Sequence, residues 1–134
     1  MRRRRNDEWR GAGASVRSYR DLIVWQKGIE LAKLIYKLTQ SFPASEKFGL
    51  VSQMRRAAIS VPSNTAEGQA RRTSGEFLQF ISQAEGSLAE LDMQIFLSVE
   101  LTFTRSEKIE PLMRLIEEES KMLNALRLKI STRQ

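Results

Sequence analysis

Apolar positions recur at helical spacing in four stretches of the chain. Leu22, Trp25, Ile29, Ala32 and Tyr36 step by three and four residues, and Leu31, Leu34 or Ile35, and Leu38 form a second stripe beside them. Lys27, Glu30, Lys33 and Lys37 make the polar strip. Asp21, with Ser18, can cap this helix, and Pro43 ends it by forcing Phe42 out of helical geometry. The pattern predicts a first helix over about 21–40.

The second helix, about 45–68, opens at Ser45 with Glu46 near its positive end. Val51, Met54, Ala58, Val61 and Thr65 face inward, and Gly68 supplies the stop. Pro62 interrupts the backbone ladder, yet the inner stripe keeps its phase through it, which predicts a kink rather than a break. Thr73-Ser74-Gly75-Glu76 reads as a capping box for a third helix, about 74–103. Its stripe is Phe77, Ile81, Ala84, Leu88, Leu91 and Ile95, with Phe80, Phe96, Leu97, Val99 and Leu101 beside it. Gly86 in mid-helix points to a close helix crossing. Thr104-Arg105-Ser106-Glu107 reads as another capping box, opening a fourth helix over about 106–131. That helix turns Ile109, Leu112, Ile116, Leu123, Leu126 and Ile130 inward and leaves Glu117-Glu118-Glu119 as a solvated run.

Short connections between long helices predict an all-α fold, an antiparallel up-down-up-down four-helix bundle over 18–134. Residues 1–17, with an arginine run and Gly, Ala and Ser but no periodicity, have the composition of a disordered basic arm. The second apolar stripes on the first and third helices exceed what one copy needs to cover, which predicts a homo-oligomer.

Composition narrows the chemistry. The 134 residues include no cysteine and no histidine. Disulfides, thiolate sites and the commonest general base and metal ligand are therefore absent. A di-iron site of the usual bundle type needs histidine and fails. No spacing supports a metal, no cofactor motif occurs, and no nucleophile motif is present, so the chain reads as not an enzyme. No segment is apolar enough to span a bilayer, and the N-terminus has no apolar core of a signal peptide, so a cytoplasmic location is expected.

The formal charge of +6 is unevenly placed. Residues 1–20 carry seven basic and two acidic side chains, and residues 21–134 carry 15 and 14. The candidate contacts to RNA or DNA phosphates are Arg2, Arg3, Arg4 and Arg5 in the arm, Arg55 and Arg56 in the second helix, and Arg71 and Arg72 in the following loop. Arg55 and Arg56 have a second reading, as ion pairs with Glu67, Glu90 or Asp92 at a helix or subunit interface. Arg56, Ser60, Asn64, Glu67 and Glu90 form a candidate structural polar network around the backbone groups freed by Pro62.

Several runs match a family pattern: Tyr19-Arg20-Asp21-Leu22 with Val24-Trp25-Gln26-Lys27, Phe42-Pro43, the loop from Glu46 to Leu50, and Gln53-Met54-Arg55-Arg56-Ala57-Ala58. Ser60-Val61-Pro62-Ser63-Asn64, Ala66-Glu67-Gly68, and Ala84-Glu85-Gly86-Ser87 with Glu90 complete it. From about Tyr19 to Ile130 the chain resembles the four-helix-bundle proteins encoded in intervening sequences of bacterial 23S rRNA genes. Thr65 stands where an aliphatic is usual and Asp92 where Glu is usual, and the arginine-rich arm lies outside the pattern. The resemblance implies a bundle that assembles into a ring, a pentamer, with no established enzymatic activity. A bundle of similar fold, the accessory protein of diversity-generating retroelements, partners a reverse transcriptase and nucleic acid. Two functions are therefore expected as alternatives: an RNA- or DNA-associated oligomer, or an adaptor for a protein partner.

Overall fold

The computed structural model describes Tyr19 and residues 22–132. Among the described residues there are four α-helices: α1 (Ile23–Thr39), α2 (Leu50–Gln69), α3 (Ser74–Glu100) and α4 (Ser106–Ser131), with a 3-10 turn at Ala44–Glu46 in the first connection. No strand occurs among the described residues. α1 packs on α2 and α4, and α3 packs on α2 and α4, so the four helices surround one core. Phe42 in the first connection meets Phe103 in the third, ring centroids 5.6 Å apart, so these two connections lie at one end of the bundle.

The inner stripes of α2 and α3 are those expected from the spacing. Val51, Met54, Ala58, Val61 and Thr65 are buried, as are Phe77, Ile81, Ala84, Leu88, Leu91 and Ile95. In α1 the two stripes exchange roles. Val24, Gly28, Leu31 and Ile35 face the core, while Trp25, Ile29 and Ala32 line a groove against α2. Both stripes step by three and four residues, so periodicity alone does not rank them. Gly28 ranks them, because it lets α1 approach Pro62 closely.

Helix ends depart from expectation in physical detail. Ser18 and Asp21 lie outside the described residues, and the N-cap of α1 is Leu22, with no side-chain cap bond. Glu46 does cap α2, but from outside it: its Oε1 accepts from the Leu50 amide at 3.2 Å across the Ala44–Glu46 turn. Thr73 caps α3 as expected, accepting from the Glu76 amide at 3.1 Å. The second capping box does not form, since Arg105 is the N-cap of α4 and no side chain caps it. α3 stops at Glu100, before Phe103, because the chain turns back on itself. Phe103 N donates to Ser98 O, Thr102 N donates to Val99 O, both at 2.9 Å, and Thr102 takes φ of 62°.

Gly68 and Gly86 also differ from the sequence reading. Gly68 lies inside α2 and is buried, and a Cβ there would meet Phe77 Cδ1 at 2.6 Å. It marks a close helix approach, not a stop. A Cβ at Gly86 would meet nothing within 4 Å, so within one copy Gly86 makes no tight crossing. α2 runs as one helix through Pro62, with Thr65 Oγ1 donating to the Pro62 carbonyl at 2.9 Å.

Candidate functional site

Arg55 and Arg56 are neighbours in sequence with separate roles. Arg55 reaches back to the end of α1. Its Nε donates to Thr39 Oγ1 at 2.8 Å, its Nη2 donates to the Tyr36 carbonyl at 3.3 Å, and its guanidinium lies over the Tyr36 ring at 4.4 Å. A cation there also complements the negative end of the helix dipole. Arg55 thus ties α1 to α2 through carbonyl, hydroxyl and ring contacts, not through the carboxylates expected as its partners. Arg56 points outward and is exposed.

The polar network is smaller than expected. Ser60 Oγ and Ser87 Oγ are 2.7 Å apart and join α2 to α3. Asn64 Nδ2 donates to both Ser60 O and Ser60 Oγ, at 2.8 and 2.9 Å. Arg56 and Glu90 flank the two serines across a cleft of about 250 Å³. Glu90 Oε2 accepts from Gln94 Nε2 at 3.3 Å. Glu67 stands apart: it is exposed, and its backbone carbonyl accepts from Arg71 Nε at 3.1 Å. Ser87 is the member that the sequence reading did not include, joined through Ser60 across the two helices.

Arg71 and Arg72 lie exposed at the turn from α2 to α3, with Arg71 over the Phe80 ring at 5.3 Å. Arg71 also lines the α1–α2 groove, about 480 Å³, together with Tyr19, Trp25 and Ile29. Tyr19 therefore lies at the end of the bundle where Arg71 and Arg72 stand. Arg2, Arg3, Arg4 and Arg5 lie outside the described residues.

The acidic run of α4 divides between water and core. Glu117 and Glu118 are exposed, and Glu118 pairs with Lys27 at 3.7 Å. Glu119 is 0 % exposed, and neither of its oxygens has a hydrogen-bond partner. Burial, and secondarily the Glu118 charge, push its pKa up to about 8 against a smaller opposing pull from Lys27. The charge run suggested a solvated face, but its third member stands four residues from both Leu115 and Leu123 and so falls in the inner stripe of Leu112, Leu115, Leu123 and Ile130. Near the end of α4, Arg127 pairs with Glu85 and donates to Ser82 Oγ at 2.8 Å. The Glu85 hydrogen bond holds Arg127 above the usual guanidinium range.

One surface is apolar and open. On α3, Met93 is 54 % exposed and Phe96 62 %, and Leu97 and the C-cap residue Leu101 are also exposed. Among the described residues, no group of three or more acidic side chains is placed to hold a metal ion, and no helix is long and apolar enough to cross a membrane. The arrangement offers cations, a polar cleft and apolar faces, which are means of binding.

A comparison with curated proteins finds no match. The family model described as 23S rRNA-intervening sequence protein matches residues 20–125, spanning all of α1 to α3 and most of α4. The chain belongs to the 23S rRNA-intervening sequence protein family.

Proposed function

We propose that the protein is a non-enzymatic, self-associating scaffold that binds RNA through basic side chains at one end of the bundle. The observation that carries this reading is the shared groove of Tyr19 and Arg71. It sets Tyr19, which follows a basic stretch of sequence, beside Arg71 and Arg72, and residues 21–134 as a whole are close to neutral. Clustered cations at a polyanion release counterions, which drives binding. Self-association is supported by the exposed apolar residues of α3, and the absence of histidine and cysteine supports a binding role over a catalytic one. Arg55 has no part in this reading, because Tyr36 and Thr39 hold it.

A second reading is an adaptor for a protein partner, such as a reverse transcriptase. Arg55's structural use favours it, since the bundle then has fewer free cations for nucleic acid. One titration separates the two. The full chain and a version starting at Ser18 are titrated with single-stranded RNA at several salt concentrations, with light scattering against the 15.4 kDa chain mass. Binding that weakens steeply with salt, and more weakly in the shortened chain, is expected. An oligomer that binds no RNA at low salt favours the adaptor.

A further inference from the structure

The side of the bundle formed by α1 and α4 carries a further groove, at the end where the first and third connections meet. It holds about 490 Å³, inside the range of about 300–1,000 Å³ that small-molecule sites occupy. Leu34 and Leu38 from α1, and Pro111 and Leu112 from α4, make its walls. Lys37 in the last turn of α1 and Lys108 in the first turn of α4 also line it, and both are exposed. No described acidic residue lines it.

The fold leaves both ammonium groups unspent. Among the described residues, neither Lys37 nor Lys108 has an ion pair. The carbonyls that a lysine at the end of α1 could reach already accept from the chain itself. Lys37 O accepts from Gln40 N at 3.4 Å, Leu38 O from Ser41 Oγ at 3.2 Å, and Thr39 O from Phe42 N at 3.2 Å. Lys108 stands at the unfavourable end of its helix, because the N-terminus of α4 is positive and no side chain caps it. Glu107 offsets that charge from the neighbouring position, but it does not line the groove. Pro111 adds a second cost. It lies inside α4, exposed to water, where it cannot donate to the Glu107 carbonyl, and it gives the groove a rigid apolar wall.

We propose that this groove binds a small amphipathic carboxylate of the medium-chain fatty acid class. Its apolar chain lies along Leu34, Leu38, Pro111 and Leu112, and Lys37 and Lys108 hold its carboxylate. The walls select the body of the ligand. They are aliphatic, with no aromatic ring on which a base could stack and no acid to accept from a base, so a nucleotide suits them poorly. The lysines select the head. Two ammonium groups and the positive end of α4 face one groove, and an anion there gains charge-assisted hydrogen bonds that the chain does not supply. The groove lies at the end of the bundle away from Arg71 and Arg72, so this site does not depend on the RNA reading.

Calorimetric titration of the full-length protein with octanoate tests the site, with octanol, acetate and adenosine monophosphate as comparison ligands. One octanoate per chain is expected. Octanol lacks the charge and acetate the chain, and each should bind about tenfold or more weakly. Lys37→Gln with Lys108→Gln removes the charge at two exposed positions and should weaken octanoate by about tenfold or more. Pro111→Glu sets an anion in the groove at an exposed position and should abolish octanoate binding. Helical circular dichroism should stay at the wild-type level in both variants. A wild-type protein that binds no octanoate overturns the site. Octanoate bound equally well by both variants places the ligand on another apolar surface and also overturns it. Adenosine monophosphate bound as tightly as octanoate, and lost in the same variants, overturns the choice of ligand.

Discussion

The Glu119 carboxylate stands tight against the position where a side chain at residue 28 would begin. A Cβ on Gly28 would stand 3.1 Å from Glu119 Oε2 and 3.3 Å from Pro62 Cβ. Three helices thus meet at one point, a glycine on α1, a proline on α2 and an acid on α4. Gly28→Ala should destabilise the fold by about 1–3 kcal/mol, as overpacking does in a filled core, despite the better helix propensity of alanine. Gly86→Ala is the control. With open space at residue 86, the same change should stabilise the single copy by about 1 kcal/mol. Urea unfolding at low protein concentration checks both, and equal effects of the same sign would refute the packing account.

Glu119 also sets how stability varies with pH. Its pKa lies at about 8 in the fold against 4.5 for an ordinary glutamate. Below pH 4.5 both folded and unfolded chains carry the proton, and the group has no effect. As pH rises toward 8 the unfolded chain loses the proton while the fold retains it, so stability falls, and the loss is complete above the folded value. The loss is on the order of 5 kcal/mol at 1.36 kcal/mol per pKa unit. The groups facing it are Glu118, which adds to the rise, and Lys27, which opposes it. Glu119→Gln should match the wild type near pH 4, exceed it in stability at pH 9, and flatten the profile between. Denaturant midpoints across that range are the measurement. A wild-type profile equally flat would mean that the carboxylate finds solvent or a cation.

The pattern of Glu117 to Glu119 shows where sequence reading reached its limit. Three adjacent acids look alike in composition, and only the phase of the helix puts the third against Gly28. The inner faces of α2 and α3 were legible because one stripe in each is continuous and closes on a single side. In α1 two stripes compete, and Gly28, with no side chain to register in a hydrophobic pattern, decides between them. Of the polar network, Ser60 and Asn64 were legible from Pro62, since short polar side chains gather where a helix loses an amide. Ser87 was not, because its link to Ser60 depends on how α2 and α3 align. Arg55 and Arg56 read as a pair in sequence, yet a helix turns adjacent side chains about 100° apart, which sends one to Tyr36 and the other to water.

Thr102 carries a cost that a substitution can remove. It follows the C-cap of α3 with φ of 62°, a region that a β-branched side chain rarely adopts. The turn is fixed by the Phe103 to Ser98 and Thr102 to Val99 backbone bonds, so the conformation stays when the residue changes. Thr102→Gly should therefore stabilise the protein by about 1 kcal/mol, the scale of the left-handed penalty. Thermal unfolding should show the gain as a higher Tm with unchanged helix content. A lower Tm would mean that the Thr102 side chain contributes more than its backbone loses.

Arg55 and the Arg71-Arg72 pair should separate stability from RNA binding. Arg55→Ala removes two hydrogen bonds and the contact over Tyr36, and it leaves the Thr39 hydroxyl with its 2.8 Å bond to Ile35 O. A loss of about 1–2 kcal/mol in fold stability is expected from contacts of this kind. The salt dependence of RNA binding should stay the same. Arg71→Ala with Arg72→Ala should do the reverse, because both residues are exposed and belong to a turn. Each phosphate contact on a single strand contributes about 0.7 to the slope of log K against log salt. Losing two should lower that slope by about 1.4, with a Tm close to the wild type. A slope unchanged in this variant but reduced in Arg55→Ala would move the RNA contact from the α2–α3 turn to the opposite end of α2.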